Sequence, residues 1–291
     1  MIKKINVLLG CIVLLLISLI MVWYLRNGKS TYRLYRTARK MNEASSYEID
    51  TTIDIETEVE LLGKKEVDST VLIETKVVKR PQLRVKQDYR VQILNMTPTL
   101  TTHYLIKEDH QYNLYTKKQA LFSDRWTKKI ITINEIKQRT SLELLGILMM
   151  ASREIKINRI SNDYINGEDV TELDVILHDE DTKKLVRSVL SAMSEEPLSN
   201  EINAIIEEVL NNEVLNVFIY IDKNTTYINR IEFELTRIMS KLLEEDEINL
   251  NGMVFNIIKN SSSQYMDLNR FDVEMNFKNY NKTDFIVPEF E

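Results

Sequence analysis

The chain has 291 residues, 44% hydrophobic and 28% charged, with 38 Lys+Arg against 44 Asp+Glu. A chain of this size buries roughly 70–75% of its unfolded surface, so it needs no disulfide or metal staple, and its apolar content excludes wholesale disorder. Six Gly, four Pro and a single Cys exclude collagenous and low-complexity chains, glycine-rich phosphate loops and an internal disulfide.

Residues 1–4 form a short basic n-region with Lys3 and Lys4, and residues 5–25, INVLLGCIVLLLISLIMVWYL, carry no charge. At about 1.5 Å per residue the run reaches roughly 31 Å, the thickness of a hydrocarbon core. Trp23 and Tyr24 close it with rings suited to a membrane interface. Its length, and the lack of a small-x-small motif before Arg26, favour an uncleaved anchor over a cleaved signal peptide. Leu8-Leu9-Gly10-Cys11 resembles a lipobox, but fourteen apolar or neutral residues continue beyond Cys11. An inert intramembrane Cys11 is therefore favoured, with lipidation as the lesser alternative.

Orientation pulls two ways. Arg26, Lys29, Arg33, Arg36, Arg39 and Lys40 follow the apolar run, which by the positive-inside rule favours a cytoplasmic domain. The signal-like start favours export. The expectation is a single-pass cell-membrane protein with its C-terminal domain extracytoplasmic.

Residues 26–46 read as a juxtamembrane segment with a basic helix. Arg33, Arg36, Arg39 and Lys40 recur at helical spacing, with Tyr32, Leu34, Tyr35, Ala38 and Met41 as apolar positions. Such a helix either rests on anionic headgroups or packs on the domain with a solvated basic face; packing is favoured. Four basic and no acidic residues precede residue 30, so the remainder is acidic by ten charges. That disfavours nucleic acid as a partner.

From Tyr47 the period changes to two. Tyr47, Ile49, Thr51, Ile53, Ile55, Thr57 and Val59 alternate with mostly acidic residues, which predicts a long strand with one wet face. Strands carrying Val67–Val77, Leu83–Ile93, Leu100–Ile106 and Tyr112–Leu114 follow with short connections, as in an antiparallel meander. Helical insertions are predicted near 135–151 and 182–212, the second broken at Pro197 with Ser199 as N-cap. Later strands lie around Asn166-Gly167, a strong turn signal, and at 173–177, 217–221, 231–235 and 271–277, with a further turn at Asn251-Gly252. The count is ten to twelve strands in one domain, 47–291. A one-sided sheet must cover its apolar face, and the two apolar insertions supply the cover.

The order of elements carries a resemblance. Ala38-Arg39-Lys40-Met41 and Ser46-Tyr47-Glu48-Ile49 open the domain; Gln111-Tyr112-Asn113-Leu114-Tyr115, Trp126-Thr127-Lys128-Lys129, Ile165-Asn166-Gly167 and Tyr220-Ile221-Asp222-Lys223 follow. The ending is Asn276-Phe277-Lys278-Asn279-Tyr280-Asn281 and then Ile286-Val287-Pro288. Over roughly 31–291 this resembles envelope proteins of Gram-positive bacteria in the LolA-like/LppX-like lipoprotein superfamily. The resemblance implies an α+β fold: an N-terminal transmembrane helix followed by a curved antiparallel β half-barrel covered by α-helices. It also supports export, and implies a lipid or acyl-chain ligand beneath the helices or a scaffolding role for an envelope enzyme. Members are commonly held by an acylated Cys; here an apparent transmembrane helix replaces it, which weakens the picture of a shuttling carrier.

No chemistry announces itself. His103, His110 and His178 lack the spacing of a zinc site, and read as strand and exposed strand-end residues rather than ligands. The acidic runs Asp179–Asp181 and Glu244–Glu247 read as solvated loops, lacking the spaced ligands of a calcium loop. Trp126 reads as core before cavity mouth. The expectation is thus no catalytic residue, metal or cofactor. In the resemblance's cavity, one strand face would line the ligand: Ile49, Ile53, Ile55, Val71, Ile73, Val85, Tyr89 and Val91, with Leu145, Leu148 and Met149 from the covering helix. Arg33, Arg36, Arg39 and Lys40 are the membrane-surface candidates. The alternative is a solid-cored scaffold that binds another envelope protein and no ligand.

Overall fold

The computed structural model describes residues 31–59, 65–93, 99–108, 110–118, 126–133, 135–136, 156–165, 167–193, 198–244 and 266–290. The apolar run 5–25 with Cys11, the turn at 251–252, Pro197 and Glu245–Glu247 lie outside these residues, as does most of the 135–151 insertion. No helix among the described residues is long and apolar enough to cross a membrane.

Helix α1 (31–43) leads into eleven strands among the described residues. The first six run as a meander: β1 (Ser46–Val59), β2 (Lys65–Val78), β3 (Arg84–Ile93), β4 (Thr99–Glu108), β5 (Gln111–Lys118) and β6 (Trp126–Ile131). The chain then resumes at β7 (Lys156–Ile165) and β8 (Glu168–His178), followed by α2 (Asp179–Met193), α3 (Asn200–Val209), β9 (Val214–Asp222), β10 (Ile228–Glu234), α4 (Thr236–Glu244) and β11 (Met266–Lys278). The strands form a single antiparallel sheet in the order β6-β5-β4-β3-β2-β1-β11-β10-β9-β8-β7. The chain therefore starts at the centre, walks to one edge, crosses to the other, and walks back until β11 pairs with β1. The fold is α+β: an open curved sheet with helices on its inner face.

Alternation fixes which face is which. Ile49, Ile53 and Ile55 of β1 are buried, and so are Val71, Ile73 and Val77 of β2. The intervening Glu48, Asp50, Asp54, Glu56 and Glu74 point to the outer face and are half-exposed. On the outer face, Asp50 pairs with Lys278 and Glu74 with Arg90. The hairpin between β7 and β8 closes at Gly167, whose φ of +87° suits a residue without a Cβ.

Helix α1 buries Leu34, Thr37, Ala38 and Met41, an i, i+3, i+4, i+7 stripe. Tyr32 and Tyr35 stand outside that stripe and are exposed, a correction to their expected apolar role. The helix ends on Lys79, whose Nζ donates to the carbonyls of Met41 and Asn42, each at 3.0 Å, and lies over the Tyr47 ring. A cation is suited to a helix C-terminus, but burial dominates, followed by Arg80, and pushes the Lys79 amine down to about 8.

Two helical features differ from the sequence reading. Helix α2 starts at Asp179, because Asp179, Glu180 and Asp181 form an acidic first turn that suits a helix N-terminus, rather than a loop. Helix α3 begins, as expected, after Ser199, whose hydroxyl accepts from the Ile202 N–H at 3.2 Å. Helix α4 was not foreseen; it buries Ile238, Met239 and Leu242. At the other insertion, Glu135 N–H donates to Thr132 Oγ1 at 3.3 Å while the Glu135 carboxylate accepts from Thr132 N–H, a capping box that opens a helical turn.

Residues 279–290 form a strap. Asn281 ties it to the start of β1 through Ser45 and Ser46. Tyr280 stacks on Tyr227 at 4.1 Å and donates to the Ile228 carbonyl at 2.5 Å. Farther on, Arg84 holds Asp284 at 2.8 Å, and Phe290 stacks on Tyr115 at 3.7 Å beside Tyr104 and Trp126. Trp126 is thus part of an outer-face aromatic cluster rather than core.

Candidate ligand site

The two halves of the inner face differ in chemistry. Under β8–β11 the floor is apolar: Leu173, Val175, Val217, Ile219, Phe233, Phe271 and Val273 are all buried. Among the described residues its buried polar floor group is Thr171, which accepts from Arg33 Nη1 at 2.9 Å. Helix α2 packs over this half, burying Leu185, Val186, Val189 and Leu190.

Under β2–β6 a polar row crosses the strands. Thr75 is in register with Gln87, Gln87 with His103, His103 with Thr116, and Thr116 with Thr127. Gln87 Nε2 donates to Thr75 Oγ1 at 3.3 Å and Tyr89 Oη donates to Gln87 Oε1 at 3.4 Å. His103 Nδ1 lies 2.8 Å from Thr116 Oγ1, and its ring sits edge-on to Tyr89 at 5.0 Å. Thr127 Oγ1 donates to the Thr116 carbonyl at 3.3 Å. Thr75, Gln87 and His103 are buried; Thr116 is half-buried and Thr127 exposed. The row therefore runs from the core to the open β6 edge. Buried polar groups cost free energy unless satisfied; here Thr75 pairs with Gln87, and His103 with Thr116.

A cavity lies where the apolar floor meets the inner end of this row. It is lined by Thr51, Ile53, Ile73, Thr75, Gln87, Val273 and Met275 from the sheet, with Leu185, Ser188, Val189 and Ala192 of α2 as its roof. It has about 20 Å³ of room for water centres, space for one or two waters at ~10–15 Å³ each. The small side chains of Ser188 and Ala192, one helical turn apart, leave that space under α2. The same helix carries buried Thr182 Oγ1 and Ser191 Oγ atoms that lack a hydrogen-bond partner.

Of the sequence-predicted lining, Ile53 and Ile73 border the cavity. Ile49, Ile55, Val71, Val85 and Tyr89 share the inner face but lie within the continuous core, with Val91 half-buried against it. Leu145, Leu148 and Met149 lie outside the described residues. The basic helix residues divide. Lys40 Nζ donates to Thr225 O and Thr226 Oγ1 and lies over Tyr227; Arg39 pairs with Glu43 at 2.8 Å; Arg36 is exposed. With Arg33 on Thr171, half of this set is tied down on the domain.

Sequence reading missed Thr75, Gln87, His103, Thr116 and Thr127 as a unit. His103 was expected to be an unremarkable strand residue, yet it is 3% exposed on the inner face. Each residue sits in phase with its own strand's apolar positions, which is a signal, but only the register between strands lines them up. His110 and His178 are exposed near strand ends, as read. Among the described residues, no three His, Cys, Asp or Glu are grouped to hold a metal ion.

Helix α2 is clasped by one residue of α3. Glu207 pairs with Lys183 at 2.8 Å and with Arg187 one turn on; Lys183 and then Arg187 hold the Glu207 carboxyl below the usual range. Asp179 N–H donates to Glu213 O at 3.2 Å at the helix start. Glu213 in turn pairs with Arg237 and Lys241 of α4.

No protein-family profile matches this sequence, and no curated protein matches it. Among solved structures, a DUF1329 family protein from Desulfovibrio piger matches over 87% of this chain and 92% of its own, at 8% identity and a TM-score of 0.24. A TM-score that low transfers neither fold detail nor activity to this chain.

Proposed function

We propose that this chain is a membrane-anchored, extracytoplasmic, non-enzymatic protein that holds the hydrocarbon chain of a lipid between α2 and the floor of the sheet. The observation that carries the reading is the cavity beneath α2, mostly apolar, with Thr51, Thr75, Gln87 and Ser188 as its polar wall. In the empty protein that cavity takes waters only, so binding requires α2 to lift. The helix suits that role: its roof residues are small, two of its buried hydroxyls are unsatisfied, and the φ of +41° at Asp179 sets it off sharply from β8. Lifting α2 costs its contacts with the floor. A bound chain replaces them at about 0.8 kcal/mol for each buried methylene.

Native mass spectrometry of the full chain released from nanodiscs, followed by extraction and lipid analysis, tests this. A stoichiometric lipid is expected, lost in Ala192→Phe, which fills the space under α2, and in Ile73→Asp, with thermal melts to confirm that both variants fold. A folded wild-type chain that carries no lipid and takes up none offered would overturn the reading. It would favour the scaffold, for which the specific observation is Ile130 on the edge strand β6, 62% accessible, with Ile133 just beyond the strand at 43%.

A further inference from the structure

We infer that the polar row is the track for a ligand's headgroup, and that the headgroup it takes is anionic: the ligand is a long-chain carboxylate or phosphate rather than a neutral lipid. This rests on the reading of the cavity as a chain site, and it adds where the head lies and what charge it carries.

The row and the cavity are continuous. Thr75 and Gln87 are both the inner rungs of the row and the polar part of the cavity wall. An amphiphile whose chain enters under α2 therefore has its head on a line of hydroxyl, amide and imidazole groups. That line ends at Thr116 and Thr127 on β5 and β6. Strand alternation places two lysines on the same inner face beside this outer end. Lys118 is two residues beyond Thr116, opposite Thr101, and Lys129 is two residues beyond Thr127, opposite Leu114. Both are exposed. They flank the last rungs on opposite sides, so a head emerging there meets a cation on either hand.

The charge at this mouth is opposite to that carried by the outer face of β1. Across the outer face of β1, the side chains at 48, 50, 54, 56 and 58 are all acidic. Two cations at the mouth of a polar row on the opposite face are what an anion needs, and a purely apolar ligand has no use for the row. A buried line of hydrogen-bonding groups penalises a chain that cannot pair with it. The track thus selects by head, while the floor under α2 selects by chain.

The full chain in phosphatidylcholine nanodiscs is offered two photoactivatable probes with the same sixteen-carbon diazirine chain, one ending in a carboxylate and one in an alcohol. Crosslinked peptides are mapped by mass spectrometry. The carboxylate probe is expected to label the peptides of β1, β2 and α2 about fivefold more than the alcohol, the scale of one or two exposed charge pairs. Lys118→Gln with Lys129→Gln should bring the two probes to parity without moving the labelled peptides. Equal labelling of those peptides by both probes in the wild type would overturn the anionic head but leave the chain site standing. Labelling that avoids β1, β2 and α2 altogether would overturn the chain site itself. If the carboxylate preference survives the lysine double variant and also Thr116→Val with His103→Leu, the track is elsewhere and the inference fails.

Discussion

The two halves of the inner face are built from the same alternating strands yet differ in what fills the inward positions. Under β8–β11 those positions are Leu, Val, Ile, Phe and Met apart from Thr171, and helices lie directly on them. Under β2–β5 every second or third inward position is polar: Thr75, Gln87, Thr101 and His103 are all buried. A sheet half that only has to hold the fold together has no reason to bury a hydrogen-bonded row, because hydrophobic groups of similar volume do the same work at no desolvation cost. The difference leaves one half as plain core and gives the other a buried polar row, which is the feature the proposed ligand site would use.

The sharpest test of that contrast compares a truncation in one half with a polar-to-apolar exchange in the other. Phe271 is fully buried in the apolar floor, so Phe271→Ala should lower the unfolding free energy by about 3–5 kcal/mol, read as a drop in urea midpoint. Thr75→Val with Gln87→Leu removes both partners of one bond and one acceptor of the Tyr89 hydroxyl, so it should cost no more than about 1–2 kcal/mol. If the double variant costs as much as Phe271→Ala, the row is structural and the contrast dissolves.

A smaller effect separates the central seam from both halves. Lys79 caps α1 with an amine at about 8 in the fold, against an ordinary 10.5. Between those values the unfolded chain holds more protons than the folded one, so stability rises with pH across that window. Below about 8 both states carry the proton and the gain is absent. Burial of Tyr47 and Tyr280 pushes their phenols up, so above pH ~10 the unfolded tyrosines ionise first and the slope reverses. Discounted for the partial exposure of Lys79, thermal unfolding at pH 7.5 and 9.5 should show a gain of about 1 kcal/mol in wild type. Lys79→Met should be flat over the same range; a wild type flat there too would contradict the burial of this amine.

The smallest effect lies on the outer face. Phe290→Ala removes the ring stacked on Tyr115 and beside Trp126, at a cost of about 0.5–1.5 kcal/mol. The chain has two tryptophans, so a difference spectrum against the wild type should report a shift in Trp126 emission. Lipid uptake should be unchanged, since the cluster and the cavity lie on opposite faces. Loss of uptake in Phe290→Ala would mean that the strap, not α2, governs the site.

Much of this fold is legible in the sequence because period-two alternation is a local signal. The strand at Tyr47–Val59 and its neighbours, the inward residues Ile53 and Ile73, the Ser199 cap and the stripe Leu34–Ala38–Met41 are all readable within a few residues of themselves. Pairing between β1 and β11 is not, because it joins Ile53 to Val273 across more than two hundred residues. The same limit hid the row: Thr75, Gln87 and His103 each look like one polar substitution in an apolar face. Trp126 was misjudged because its ring is covered by Phe290, a contact with a tail that carries no periodicity.

The central claim is that α2 is a roof that lifts for an apolar chain. Hydrogen exchange of the full chain in phosphatidylcholine nanodiscs, with and without saturating palmitate, tests it most directly. The account predicts that α2 amides over 183–193 exchange through local opening in the unloaded protein and slow at least severalfold with palmitate, while β9 and β10 do not change. Identical exchange of α2 in the two conditions, with palmitate bound to the protein, would contradict it.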